Sequence, residues 1–379
     1  MTLEAAPLTV GVNLLWCLPG EVGGSEEYLA RQLAGLHDVA PEIAARLFVL
    51  PGFAGAHRDV AARHELVVAS LDARRRSWRV VIEATWLPRQ LAGSDVVHHG
   101  GGTVPLRSPG PIVLTVHDLQ YRTYPAYFTA VKRRYLGLVL PRSVRRATVV
   151  AVPSEYVRAT VIEAFGTDPT TVVVVPHGFD PSSPDDLTDS AALRRRFGIG
   201  ARRFVVYPAI THPHKNHRFL LDLMAGPWSD PDLVLVLLGG RGLADDEVSA
   251  AISVLGLGDR VLRPGRVSDG DRDGLIAAAE ALVCPSEYEG FGAPVLEAMA
   301  LGTPVVCSDR AALPEVVGDA GLVLPLDLDA WAGALDTARG ERDRMVEAGR
   351  RRAAVRTSRV AGERLAAAYR RAAERAGGQ

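Results

Sequence analysis

The sequence predicts an α/β protein of two Rossmann-like, doubly wound domains in series. Short apolar, β-rich runs alternate with helical patterns along nearly the whole chain, the signature of parallel sheets with helical crossovers. The alternation breaks once, around Gly178, and then begins again. At 379 residues the chain exceeds one ordinary core and suits two or three domains.

In the first series, residues 8–15, 45–50, 96–98, 112–116, 149–152 and 172–175 read as buried strands. Residues 25–36 between the first two have a helical period, with Leu29, Leu33 and Leu36 on one face. Right-handed crossovers follow from the alternation. Residues 180–189, DPSSPDDLTD, have no periodicity and the composition of a linker. A second series has strands over 204–207, 233–238, 261–262, 281–284 and 304–307, with helices over 245–255 and 293–300 among them. Residues 341–376, rich in Ala, Arg and Glu, read as one or two surface helices. The expected division is a domain over 1–178, a linker over 179–200, a domain over 201–355, and a final helix in 356–379 packing back on the first domain. Ligand sites in such sheets lie at the carboxyl ends of the strands, so two facing domains would line one cleft.

Composition narrows the function. With 47% hydrophobic and 23% charged residues the chain reads as soluble and globular, and a net charge of −1 gives no global field for nucleic acid. Cys17, Cys284 and Cys307 form no CxxC pair, which argues against a disulfide framework or zinc site and fits a reducing cytoplasm. The first seven residues lack a secretory pattern, and no run approaches the ~20 apolar residues of a membrane span. No Gly-x-Gly-x-x-Gly follows the first strand and no P-loop occurs, which argues against dehydrogenases and P-loop enzymes.

Residues 289–297, EGFGAPVLE, carry the most chemistry. Pro294 suits the start of a helix with Glu297 in its opening turn, leaving Glu289 on the preceding loop. Amide groups around Gly292 and Ala293 then suit sugar or phosphate oxygens, and Glu297 suits two vicinal hydroxyls such as those of a ribose. An acidic loop ending in a helix-dipole glutamate is the plainer alternative. Lys215 is one of only two lysines among 43 basic residues, which favours a placed ammonium.

With residues 300–306, ALGTPVV, the string 289–306 resembles the signature of retaining glycosyltransferases of the GT-B fold, family 4. Other segments agree. Gly23-Gly24-Ser25-Glu26 resembles the family's N-terminal glycine loop, and Val116-His117-Asp118 its acceptor-side histidine loop. Val152-Pro153-Ser154-Glu155 and Val175-Pro176-His177-Gly178 match strand ends, and residues 208–217, PAITHPHKNH, resemble the phosphate-binding loop. The likeness covers essentially the whole chain. It departs at His214-Lys215, where many members have arginine and lysine.

The resemblance implies transfer of a hexosyl group, first of all mannose from GDP-mannose, from a nucleotide-diphosphate sugar to a hydroxyl acceptor with retention. His117, Lys215 and Glu289 would be catalytic. Gly23, Gly24, His214, Asn216, Arg266, Val267, Phe291, Gly292, Ala293 and Glu297 would bind the donor, and no metal or other cofactor is expected. Donors aimed at the departing diphosphate would stabilise its charge. Gly23 and Gly24 also fit a tight strand–helix turn, His117 a strand-terminal cap, and His212, His214 and His217 a metal cluster without a carboxylate. Asp271-Arg-Asp273 and Asp327-Leu-Asp329 read as turn or helix-start acids rather than a DxD metal site. Alternatives of function are a GT-B epimerase, a phosphorylase, and a non-catalytic nucleotide-sugar-binding protein. Residues 131–146 set six basic groups around Leu136, Leu138, Val139 and Leu140, a pattern of either a solvated helix or a peripheral membrane contact at the cytoplasmic face.

Overall fold

The structure, a computed structural model, describes residues 7–18, 24–70 and 76–377. The chain divides into two compact units, Met1–Gly178 with Arg356–Gln379, and Phe179–Val355.

Among the described residues of the first unit, seven parallel strands are ordered β3-β2-β1-β4-β5-β6-β7. They are β1 (Leu8–Asn13), β2 (Ile43–Val49), β3 (Glu65–Val68), β4 (Val96–His99), β5 (Ile112–Thr115), β6 (Val149–Val152) and β7 (Val172–Val174). The second unit has six, ordered β10-β9-β8-β11-β12-β13. They are β8 (Arg203–Pro208), β9 (Leu233–Leu238), β10 (Val261–Gly265), β11 (Ala281–Cys284), β12 (Val305–Ser308) and β13 (Leu322–Leu324). The expected strands all form, to within a few residues. Every residue of β4, β5, β6, β9, β11 and β12 is buried, and these strands read as mainly apolar runs, with His98, His99, Thr115 and Ser308 as buried polar members. Edge strands β3 and β13 have no fully buried residue, and their weak pattern escaped the sequence reading.

The strand order reverses between β1 and β4 in one sheet and between β8 and β11 in the other. At such a switch point the connections leave toward opposite faces, opening a crevice beyond the carboxyl ends.

Residues 179–200 correct the linker reading, because they are built into the second unit. Phe179, Leu193 and Ile199 are buried in its core. The polar side chains find buried partners: Ser182 Oγ donates to Asp273 at 2.9 Å and Thr188 Oγ1 to Asp271 at 2.7 Å. Gly270 and Gly274 of the helix Asp269–Ala278 make room, since a Cβ on them would meet the carbonyls of Asp186 and Thr188, each at 2.7 Å. The composition of a linker here reflects short side chains that bond a helix.

The helix Ser358–Gly377 belongs to the first unit and lies along Gly24–Val39. The two backbones approach closely at Gly35 and Gly362, where a Cβ on Gly35 would sit 1.8 Å from the Ser358 carbonyl oxygen. His98 Nδ1 lies 2.8 Å from the Tyr369 hydroxyl and its Nε2 2.8 Å from Thr115 Oγ1, joining that helix to β4 and β5. Burial pushes His98 down to about 3, so the network is neutral at physiological pH.

Helix propensity alone makes Gly35→Ala stabilising by about 1 kcal/mol. The close approach reverses the sign: urea unfolding should show a loss of about 1–3 kcal/mol. A stabilised variant would disprove the contact.

Candidate active site

The second unit gathers most of the predicted residues at the β8/β11 switch point. After β8 the chain turns through the single 3-10 turn Pro213–Lys215 and enters the helix His217–Ala225 through Asn216, whose φ of 52° and ψ of 44° are left-handed. Asparagine tolerates that conformation better than most residues. The turn brings Lys215 Nζ to 2.6 Å from Glu289 Oε1 on the loop after β11. Ser286 Oγ donates to the same oxygen at 2.7 Å and lies 2.7 Å from the Tyr207 hydroxyl, which donates to the Lys215 carbonyl at 3.0 Å. The Glu287 amide donates to the His214 carbonyl at 2.8 Å, closing the two loops on each other.

Burial pushes the Glu289 carboxyl up, but the Lys215 ammonium, its hydrogen bond and that of Ser286 outweigh burial and hold Glu289 below the usual range. His214 is pushed down to about 3, by burial first and then by the Lys215 ammonium. It is therefore neutral at pH 7, which answers the departure from the family's arginine: the cationic charge in this turn rests on Lys215. His217 is buried and pushed down to about 4 by burial, beside Tyr207 at a ring separation of 5.1 Å. Among the described residues no cluster of three His, Cys, Asp or Glu side chains has the form of a metal site.

Gly292 caps the helix Ala293–Leu301 with φ of +93°, and a Cβ there would meet Leu313 at 2.6 Å. The first turn of such a helix directs amide groups out of its end. Pro294 is near the helix start as expected, whereas Glu297 falls in the second turn, 7% exposed. Its charge helps to raise the pKa of Arg272 against the opposing effect of burial, so Arg272 is its electrostatic neighbour. The Phe291 side chain packs into the apolar core, which leaves only its backbone on the loop. Arg266 is exposed beside Gly240, and Val267 packs against the core. Nearby, a cavity of about 290 Å³ at the carboxyl ends of β8, β9 and β10 is lined by residues including Ala209, Thr211, Arg241, Asp245 and Arg263. Asp271 and Asp273 lie inside the helix Asp269–Ala278, and Asp327 caps the helix Leu328–Ala332.

In the first unit, His117 follows β5, with Nε2 2.8 Å from the Gly100 carbonyl oxygen. A carbonyl only accepts, so Nε2 carries the proton. Burial lowers the pKa of the ring, which leaves Nδ1 as a lone pair. Trp16 and Tyr28 hold the ring at centroid distances of 5.7 and 5.4 Å. Asp118 caps the next turn through the Gln120 amide at 2.9 Å. Gly23 lies outside the described residues. Gly24 opens the helix Gly24–Val39 and is exposed. Within the same first turn, buried Glu26 Oε1 is 2.6 Å from His57 Nε2.

Sequence reasoning missed Ser286, Tyr207 and Arg272. Ser286 carried a usable signal, a hydroxyl three residues before Glu289 at a strand end. Tyr207 and Arg272 had none, because each reaches its partner across the fold.

Two family descriptions match the chain: "Glycosyl transferases group 1" over residues 189–352 and "Glycosyltransferase Family 4" over residues 22–183. The chain is 32% identical over 284 residues to O-antigen chain mannosyltransferase B of Escherichia coli, covering 71% of this chain and 73% of that one. It is 32% identical over 290 residues to the MMP alpha-(1->4)-mannosyltransferase of Mycolicibacterium hassiacum, covering 70% and 68%. Among solved structures, Anabaena HepE in complex with UDP and glucose superimposes with a TM-score of 0.73 at 20% identity, covering 95% and 98%. Sucrose-phosphate synthase of Thermosynechococcus elongatus superimposes at 0.76 and 20% identity, covering 96% and 98%.

Two measurements test the charge arrangement. Lys215→Met removes the ammonium that holds Glu289 ionised, so turnover should fall about 100-fold or more while the circular dichroism spectrum is retained. Wild-type turnover would remove Lys215 from the chemistry. Burial pushes His57 down, but the Glu26 hydrogen bond and the Glu27 and Glu26 charges outweigh it and raise the pKa overall. Its stabilising contribution is then complete below the unfolded value of about 6.5 and lost as pH rises through the folded value. The urea-stability gap between wild type and His57→Gln should shrink from pH 6 to pH 9; a widening gap would contradict the pair.

Proposed function

We propose, starting from a chain that belongs to the family 4 glycosyltransferases, that it moves a mannosyl group from GDP-mannose to a hydroxyl acceptor with retention of configuration. The observation that carries this reading is the half-buried Lys215–Glu289 pair at the β8/β11 switch point, braced by Ser286 and Tyr207. The preference for mannose is supported by the two mannosyltransferases at 32% identity. An epimerase or a binding protein finds no such support.

The mechanism follows from charge. As the bond from the anomeric carbon to phosphate oxygen breaks, negative charge grows on the diphosphate and positive character on the sugar. Lys215 stabilises the first, His214 offers a neutral N–H, and the outward amides at Gly292–Ala293 add donors. Glu297 accepts from the ribose hydroxyls and Glu289 from the sugar. In the first unit, His117 offers its Nδ1 lone pair to a hydroxyl. The acceptor attacks from the face the diphosphate leaves, and the departing phosphate oxygen takes its proton. This reading asks for no metal or other cofactor.

Thermal shifts against GDP, UDP, dTDP and ADP test the donor. Saturation at about 100 times Kd stabilises the folded protein by about 2.7 kcal/mol. GDP should raise the melting temperature most, and Glu297→Ala should abolish the rise. A rise with a different nucleotide would replace the donor, and inverted anomeric configuration in the product would overturn the stereochemistry.

A further inference from the structure

The loop after β5 has two features that neither packing nor the donor chemistry explains. Three residues past His117, Gln120 opens the short helix Gln120–Thr123. Asp118 Oδ1 accepts its backbone amide at 2.9 Å, and only 8% of the residue is exposed. Among the described residues no acceptor meets its buried Nε2. A buried N–H left so is costly, and a leucine would fill the same space without that cost. The amide is therefore set to receive an acceptor from outside the fold.

The second feature is a pair of rings. The Tyr124 amide donates to the Gln120 carbonyl at 2.8 Å, and the chain passes at once into the 3-10 turn Pro125–Tyr127. Side chains three apart eclipse in such a turn. Tyr124 and Tyr127 accordingly stack, with centroids 5.5 Å apart and planes within 4° of parallel. Both are half-buried, and Thr123, Pro125 and Ala126 around them are exposed. The turn is pinned from both sides. Arg122 Nη1 donates to the Ala164 carbonyl at 3.0 Å, and Arg133 Nη1 to that of Pro125 at 3.4 Å. A surface already held in place loses little freedom when a ligand settles on it.

We propose that this loop binds a pyranose ring, so that the hydroxyl acceptor of the transfer is itself a saccharide. A pyranose has an apolar face of C–H groups and a rim of hydroxyls. The negative face of a tyrosine ring attracts the first, and the Gln120 amide donates to an oxygen of the second. Gln120 and Tyr124 stand one helical turn apart, within the span of a single sugar ring. A hydrocarbon carrier would cover the rings but leave the Gln120 amide without an acceptor. A bare phosphate would answer the amide and leave the rings in water. The inference rests on the proposed transfer in one respect, that the bound sugar is taken for the acceptor.

Saturation-transfer NMR on the intact protein tests it without calling on turnover. The probes are the methyl pyranosides of mannose, glucose, galactose and N-acetylglucosamine, with farnesyl phosphate as the lipid control. At least one pyranoside should receive saturation, chiefly at the C–H protons of one face, and farnesyl phosphate should not. Gln120→Leu should weaken that binding about fivefold or more. The pair Tyr124→Leu/Tyr127→Leu should weaken it about tenfold, while Tyr124→Phe/Tyr127→Phe keeps it, because the rings remain. Circular dichroism melting reports that each variant is folded. A wild type that binds none of the four sugars would overturn the proposal, as would unchanged binding in Gln120→Leu. Saturation of farnesyl phosphate that is lost in the same variants would replace the sugar by a lipid. Sugar binding with these losses, beside no thermal shift from any nucleotide, would uphold this subsite and fault the donor reading alone.

Discussion

In each sheet two neighbouring strands send the chain that follows them to opposite faces, and the rest of the molecule depends on that divergence. It occurs at β1/β4 and at β8/β11, because the strand order reverses there. Loops that part company leave backbone and side chains aimed at a shared space rather than at a crossover helix. Lys215 comes from one such loop and Glu289 from the other. Their separation of 2.6 Å is a consequence of sheet order, since they stand 74 positions apart in sequence. Removing either partner would leave a charge in a site that water does not reach freely.

The neutral state of His214 changes how this turn works. Where relatives of the resembled pattern have two fixed cations, this turn has one ammonium and one uncharged ring, stacked on His212 at 5.8 Å. Its electrostatic field therefore comes from a single point, whose carboxylate partner is kept ionised by that same ammonium and, after it, by the Ser286 hydroxyl. Such a site gains more from orientation than from accumulated charge.

Much of this was legible in the sequence, and the failures have physical causes. Central strands announce themselves because both faces are covered, so nearly every position is apolar, with His98, His99, Thr115 and Ser308 among the exceptions. Edge strands β3 and β13 are too short and too wet to do so. The stretch 179–200 misled because serine, threonine and aspartate look the same whether they face water or bond Asp271, Asp273 and the backbone. Motif residues Lys215, Glu289, Gly292 and Glu297 could be named, since their spacing is local. Tyr207 and Arg272 could not, because nothing in a linear pattern says which strand will lie beside which. The charge state of His214 was equally hidden, as burial decides it.

The helix Ser358–Gly377 supplies the cover for Leu33, Leu36 and their neighbours in the first unit. During synthesis, residues 24–178 are complete long before that cover exists. The ribosome must first add residues 179–355, roughly ten to thirty seconds of elongation. Through that interval the opening domain has an uncovered apolar flank, and Gly35 waits for a backbone to fill the groove it leaves. The second unit is continuous in sequence and has no such delay, so it can reach its native packing before the unit that precedes it.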